Sequence, residues 1–419
     1  MRRIVVVLQA VSLALLMGAA QGYAQAPVQD APADVPRTSR PAPDPAVVAT
    51  WRQALLHMRD GAPRAALPLL EQLVTAYPAN GRFRLELARA LYQTDDHDRA
   101  RYHFEYALSG ELSLGEINAA QEYLTAMDTR KSWRGQARIA IVPQSNPWRR
   151  SGRRFVDIGG VLLLPLPPVE RAVGVEVGLG GTWIPRLAPD LHARFHVMAT
   201  GQLFEDKAFN RGHLRSEIGF VSYGDLGRSF GMGITLQGAG GREGVIMKGA
   251  GIYAAFQRRF GRKTQLSVTA NFDQLRYPTA PQFDGPRVTF GLGLRHILTP
   301  QLRLSGSLSL SHHRTEALFH RRSDAVVGVG AEYAFSGGFV TGLEASLGHT
   351  RFVEANPLLF QYGPQRDWSA TLSTTVMHRD LTVYGFAPVV EFEVQRHKSN
   401  VPMRSFNNLK VSLGATRNF

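Results

Sequence analysis

At 419 residues the chain exceeds one ordinary domain, and its 44% apolar content does not suit a chain built of membrane helices. With no cysteine, neither a disulfide framework nor lipid attachment at a processed N-terminus is available. The 48 Lys and Arg against 34 Asp and Glu, a net charge of +14, raise the question of a polyanionic partner such as nucleic acid.

Met1-Arg2-Arg3, the apolar run from Ile4 to Ala20 and the small residues after it have the form of a secretory signal over 1–24. Ala24-Gln25-Ala26 is also small-x-small, but cutting there would leave Pro27 first, so cleavage after Ala24 is expected. Export removes nucleic acid as a partner. Residues 25–46 carry six prolines among Ala and Asp, too few large apolar groups to bury anything, and read as a linker. No later run spans a membrane as a helix: Val161 to Val169 is short and broken by Pro165, Pro167 and Pro168. An exported chain that enters a membrane without such helices must close its backbone hydrogen bonds as a barrel. The 41 glycines suit tightly curved strands.

Residues 47–130 form a helical block with an internal repeat. Ala54, Gly61, Ala66, Leu70 and Leu73 recur 34 residues on as Ala88, Asp95, Ala100, Phe104 and Ala107. Small residues where two helices touch, a turn residue between them and Pro78 closing the first unit resemble tetratricopeptide repeats. A third amphipathic helix, Leu114 to Met127 with Leu114, Ile117, Ala120, Leu124 and Met127 on one face, caps the stack.

From residue 131 the apolar period changes from 3.6 to 2. Val173, Val175, Val177, Leu179 and Trp183 alternate with Ala172, Gly174, Glu176, Gly178 and Thr182, and the same holds to the end of the chain. Longer and shorter connections alternate as well. The longer are Gln144 to Arg171, Lys207 to Gly212, Gly240 to Val245, Tyr277 to Gly285, Arg314 to Ser323, Phe352 to Gln365 and His397 to Asn407. The shorter pass through Asp190, Asp225 to Gly227, Gly261 to Lys263, Thr299 to Gln301, Ser336 to Gly338 and Arg379-Asp380. That sorting predicts a 14-stranded antiparallel outer-membrane β-barrel over 131–419, with short periplasmic turns and long outer loops. Phe155 to Pro165 could add two strands and make sixteen; it is placed in the first outer loop, and Ser151, Thr315 and Asn400 are expected to face outward. An even strand number puts both barrel ends, and hence the repeats, in the periplasm. Leu409, Val411 and Leu413 alternate up to the aromatic Phe419 and resemble the assembly signal of outer-membrane barrels, which implies the barrel assembly machinery as a partner.

No catalytic, cofactor or metal site stands out. Gly227-Arg228-Ser229-Phe230-Gly231 fits G-x-S-x-G, but that elbow needs a helix after it, and Met232, Ile234 and Leu236 alternate as a strand. His192 and His196 would share a helix face, but on a strand four residues span about 13 Å, so they read as polar lumen groups. The lumen face carries both signs: Glu176, Asp273, Glu332, Glu344, Glu391 and Glu393 against Arg194, Arg287, Arg295 and Arg303. Much of the remaining basicity lies in the outer loops, at Arg149, Arg150, Arg153, Arg154, Arg242, Arg321, Arg322, Lys398 and Arg404, where it suits outer-membrane lipid and lipopolysaccharide phosphates.

Signal, short repeat block and barrel, in that order, resemble the surface lipoprotein assembly modulator (Slam) family. The likeness extends to Ile139-Ala140-Ile141-Val142-Pro143-Gln144-Ser145-Asn146, similar to that family's first strand running into a Pro-x-Ser-Asn element with Pro143, Ser145 and Asn146. The resemblance implies a translocator, not an enzyme. An exported client protein or lipoprotein would meet the periplasmic repeats and reach the cell surface through the barrel. An exopolysaccharide export porin and a passive diffusion pore remain alternatives.

Overall fold

The computed structural model describes residues 44–130, 132–158, 162–224, 227–335, 339–378, 381 and 386–418. The expected signal and nearly all of the linker lie outside the described residues, as does Phe419.

Among the described residues five helices come first: α1 (Pro45–Arg59), α2 (Pro63–Ala76), α3 (Gly81–Gln93), α4 (His97–Ala107) and α5 (Leu114–Arg130). Helix α1 begins two residues inside the expected linker, because Pro45 can open a helix: its missing N–H costs nothing in a first turn. Ala54, Ala66, Leu70, Ala88, Ala100, Phe104 and Ala107 are fully buried, and Leu73 nearly so. The alanines let helix axes approach, while Leu70 and Phe104 fill the space between, each worth about 1.5–3 kcal/mol of apolar burial. The turn positions of the two repeats, Gly61 and Asp95, both take positive φ, +70° and +64°. Asn80 caps α3 by accepting from the amides of Arg82 and Phe83. Ser113 and Glu116 form a reciprocal capping box on α5: the Ser113 amide donates to Glu116 Oε2 at 2.7 Å, and the Glu116 amide donates to Ser113 Oγ at 3.3 Å. Leu114, expected on the apolar face of α5, is instead 80% exposed. It stands in the first turn, ahead of the part of α5 that reaches the stack.

Fourteen long strands follow: β1 (Trp133–Gln144), β2 (Ala172–Trp183), β3 (Leu191–Phe204), β4 (Arg211–Gly224), β5 (Arg228–Gly241), β6 (Gly244–Phe260), β7 (Thr264–Arg276), β8 (Gly285–Ile297), β9 (Leu302–His313), β10 (Arg322–Ala334), β11 (Phe339–Phe352), β12 (Arg366–His378), β13 (Ala387–Ser399) and β14 (Phe406–Asn418). Each pairs antiparallel with its neighbours, and β14 pairs with β1 (Gln136 opposite Asn418, Ile141 opposite Leu413), so the sheet closes. A three-residue strand, Arg186–Ala188, folds back on β3. Phe155–Ile158 and Leu162–Pro165 form a separate hairpin in the β1–β2 connection, so the count is fourteen rather than sixteen.

The outward side of the wall is apolar, including Val173, Leu179, Leu214, Ile252, Leu347, Leu409 and Leu413. Trp133, Trp183, Phe195, Phe230, Phe260, Phe335 and Phe339 are exposed near the short-turn end, an aromatic girdle of the kind that sits at a membrane interface. Gly219 and Gly233 oppose each other on β4 and β5, where an added Cβ would lie 2.1 Å from Met232 O or 2.2 Å from Ile218 O. Such close backbone approach is one reason the wall is rich in glycine.

Two expectations about the loops need correction. The connection from Gly240 to Val245 is not long: β5 and β6 run on to a two-residue turn, Arg242-Glu243, completed by Gly244 at φ +105°. The glycines there add no side chain that would end the ladder. Nor are the other loops open to solvent throughout, since Ser151 is 6% and Thr315 2% exposed, whereas Asn400 is exposed. Five outer connections each carry one turn of 3-10 helix, and neighbouring loops interlock. The Glu316 amide donates to Asp284 O at 2.8 Å, Ser151 Oγ to Pro402 O at 3.2 Å, and the Phe283 and His320 rings stack at 4.1 Å.

Candidate functional site: the lumen, its seam and its short-turn mouth

Strand alternation sends every second side chain into the lumen, and most of the charged ones find partners across the sheet. Arg194 and Arg215 both donate to Glu217, Arg303 pairs with Glu332, Arg138 with Glu391 at 2.7 Å, and Lys410 with Glu176 at 2.9 Å. Arg287 approaches Asp273 at 3.5 Å, while Thr235 Oγ1 donates to the same carboxylate. Removing one member of such a partly buried pair would leave the other charge uncompensated. The two signs are not evenly mixed. The side chains of Arg134 on β1 and Arg295 on β8 have no hydrogen-bond or ion-pair partner among the described residues, and neither do those of Glu344 on β11 and Glu393 on β13. This segregation depends on which strands are neighbours around a closed ring, so a reading strand by strand sees only that both signs are present.

His196 hydrogen-bonds Thr182 at 2.8 Å, and His192 is buried beside the Tyr223 ring, so the two do not converge. Among the described residues no group of three or more His, Cys, Asp or Glu is arranged to hold a metal. Arg228-Ser229-Phe230-Gly231 opens β5 and runs on as strand, without the helix that a nucleophile elbow requires.

The Pro-x-Ser-Asn element lies at the outer end of the seam between the first and last strands. Ser145 Oγ accepts from the Leu409 amide at 2.8 Å, and the Ser145 amide donates to Leu409 O at 2.9 Å. Asn146, 2% exposed, has its whole amide engaged: it donates to Arg150 O and Asn407 O, and accepts from the Arg150 amide. Its backbone N–H donates to Asn408 Oδ1 at 2.9 Å. Pro143 has no N–H for the ladder, and the β1–β14 register passes over Val142 and Pro143 between Ile141 and Gln144. Side-chain bonds beyond the proline therefore hold the seam where backbone pairing lapses.

At the other end, helix α4 lies against the barrel mouth. Tyr106, 1% exposed, donates its hydroxyl to Glu332 Oε1 at 2.6 Å, and Glu105 pairs with Arg259 at 2.9 Å. Burial pushes the Tyr106 phenol pKa up, so the group remains a donor. Arg259, Arg303 and Glu332 all lie close to short turns, which places the helices at the short-turn end. The repeat explains the Glu105 contact. Glu71, 34 residues earlier, pairs with Arg99 of the next repeat at 2.6 Å; Glu105 has no further repeat and takes Arg259 of the barrel instead. Neither Tyr106 nor Arg259 carried a sequence signal, because the partner of each, Glu332 and Glu105, lies more than 150 residues away along the chain.

A closed transmembrane barrel with an apolar belt, an aromatic girdle and a tetratricopeptide block at its short-turn mouth defines an outer-membrane β-barrel protein with periplasmic repeats. Residues 57–103 match the tetratricopeptide repeat family. Residues 166–419 match the surface lipoprotein assembly modifier family, and the chain belongs to it. It is 20% identical over 347 residues to surface lipoprotein assembly modifier 1 of Haemophilus influenzae, covering 80% of this chain and 70% of that protein. Among solved structures it is similar to the monoaromatic hydrocarbon channel CymD (TM-score 0.38, 11% identity, 74% of this chain and 93% of that one). It is also similar to a bacterial polysaccharide outer-membrane secretin (TM-score 0.35, 11% identity, 68% and 98%).

Proposed function

We propose that this protein moves a surface lipoprotein client from the periplasm to the cell surface, the repeats binding the client and the lumen conducting it. The observation that carries the division of labour is the docking of Glu105 and Tyr106 at the lumen mouth. A client arriving from the periplasm meets the repeats before the barrel, and stacked helix pairs offer a concave surface for it. The same reading covers a soluble exported client. The lipid-facing residues Leu409, Val411 and Leu413, with Phe419, are assigned to recognition by the barrel assembly machinery. The arginine-rich outer loops are assigned to lipopolysaccharide phosphates.

The test is surface exposure of the exported protein encoded beside this gene, read by protease shaving of intact cells. Leu70→Glu with Phe104→Glu puts two carboxylates into fully buried positions, which unfolds the repeats while the barrel keeps its own hydrogen bonds. Exposure is expected to fall to the level of a gene deletion, with barrel abundance unchanged. Unchanged exposure in the double variant would refute the role of the repeats, and unchanged exposure in the deletion would leave a passive pore as the better reading.

A further inference from the structure

Between α4 and the lumen wall lies a chamber of about 760 Å³. Arg101 and Glu105 of α4 line one side, and strands from β1 to β8 line the other. Its fixed charges are lopsided. Arg194 and Arg215 share the single carboxylate of Glu217, Arg194 is also held by Tyr253 Oη at 3.3 Å, and Arg215 by Asn271 Oδ1 at 2.9 Å. That cluster keeps one positive charge in surplus. Arg134 and Arg295, whose side chains have no partners among the described residues, add two more.

We propose that this chamber is the entry site of the lumen and takes an acidic, extended stretch of the client polypeptide; the inference rests on the translocator reading above. Low-dielectric walls focus the field of such a cationic surplus and raise the local concentration of anions. Guanidinium forks match carboxylates in pairs of hydrogen bonds. Geometry selects a chain over a small anion. Strands β1 and β8 stand seven apart in a ring of fourteen, so Arg134 and Arg295 lie on opposite walls and one phosphate cannot reach both. An extended segment bearing several carboxylates can. The chamber also lies where the repeats hand over to the lumen, with Glu105 held to Arg259 at its edge.

The experiment uses the full chain in detergent and a fluorescent octaglutamate peptide, read by anisotropy. Binding is expected at low salt, weaker as salt is raised, and absent for octaglutamine. Arg134→Gln with Arg295→Gln is expected to weaken binding by at least about tenfold, with the heat-modifiable barrel unchanged. Arg153→Gln with Arg154→Gln, in the outer loop, is expected to leave binding as it was, and inorganic phosphate to compete poorly. Equal affinity in the lumen double variant, equal binding of octaglutamine, loss of binding in the outer-loop variant, or ready competition by phosphate would each overturn the proposal. Peptide binding in a protein whose gene deletion leaves client exposure unchanged would instead sink the translocator reading and keep the site.

Discussion

Asn146 and Glu116 show how single polar side chains hold this fold at opposite ends. Every polar group of the Asn146 side chain is used, in a buried place, to tie the first outer loop to the start of β14. Asn146→Ala strands those partners, at a cost of about 1–3 kcal/mol for the groups left unsatisfied. The temperature at which the folded band is lost in a heat-modifiability series should drop, whereas Asn356→Ala, in another outer loop, should leave it close to wild type. Glu116 responds to pH. The Ser113 amide and hydroxyl, which donate to its carboxylate, hold its pKa below the usual 4.5. A lowered folded value means that the contribution is complete above the unfolded pKa and is lost as pH falls through the folded one. Amide exchange in the first turn of α5, corrected for intrinsic rate, should therefore speed up between pH 6 and about pH 3. In Glu116→Gln it should be faster at pH 6 and change less on acidification.

At the scale of elements, the two helical hairpins make a controlled comparison. Gly61 and Asp95 occupy the same place 34 residues apart, and both sit at left-handed φ. That conformation costs a residue with a Cβ about 1–2 kcal/mol, less for Asp. Asp95→Gly should stabilise the repeats by up to about 1 kcal/mol and Gly61→Val should destabilise them by about 1–2 kcal/mol. The urea midpoint of the helical signal would show both shifts, and a gain from Gly61→Val would contradict the assigned backbone. The helical elements were legible in sequence because each of Ala54, Leu70, Ala88 and Phe104 is buried by neighbours one turn or one repeat away. Leu114 escaped that logic: its period matched, but the stack does not extend to its end of α5.

For the molecule as a whole, the orientation of the barrel is the testable statement. The chain has no cysteine, so single cysteines report cleanly. Ser151 and Thr315, natural choices from the loop pattern, are buried by interlocking loops and would react poorly in either orientation. Exposed positions serve better: cysteines at Glu243 and Glu316 should react with an impermeant maleimide on intact cells, and one at Arg262, in a short turn, should react only after lysis. Reaction of Arg262→Cys on intact cells without reaction of Glu316→Cys would invert the molecule.

Period and spacing alone determined the helical repeats, the fourteen strands and the outward apolar belt. Those properties follow from residues within a turn, a repeat or a hairpin of one another, and every second side chain of a strand must face the same way. The Pro143, Ser145 and Asn146 element was visible as a motif, yet its partners Asn407, Asn408 and Leu409 lie some 260 residues on, and only closure of β1 on β14 brings them to it. The same holds for Tyr106 with Glu332, for the interlocked outer loops and for the cationic side of the lumen. Each is a meeting of groups whose positions depend on strand order and ring closure, and a local pattern carries no record of which distant strand will stand opposite.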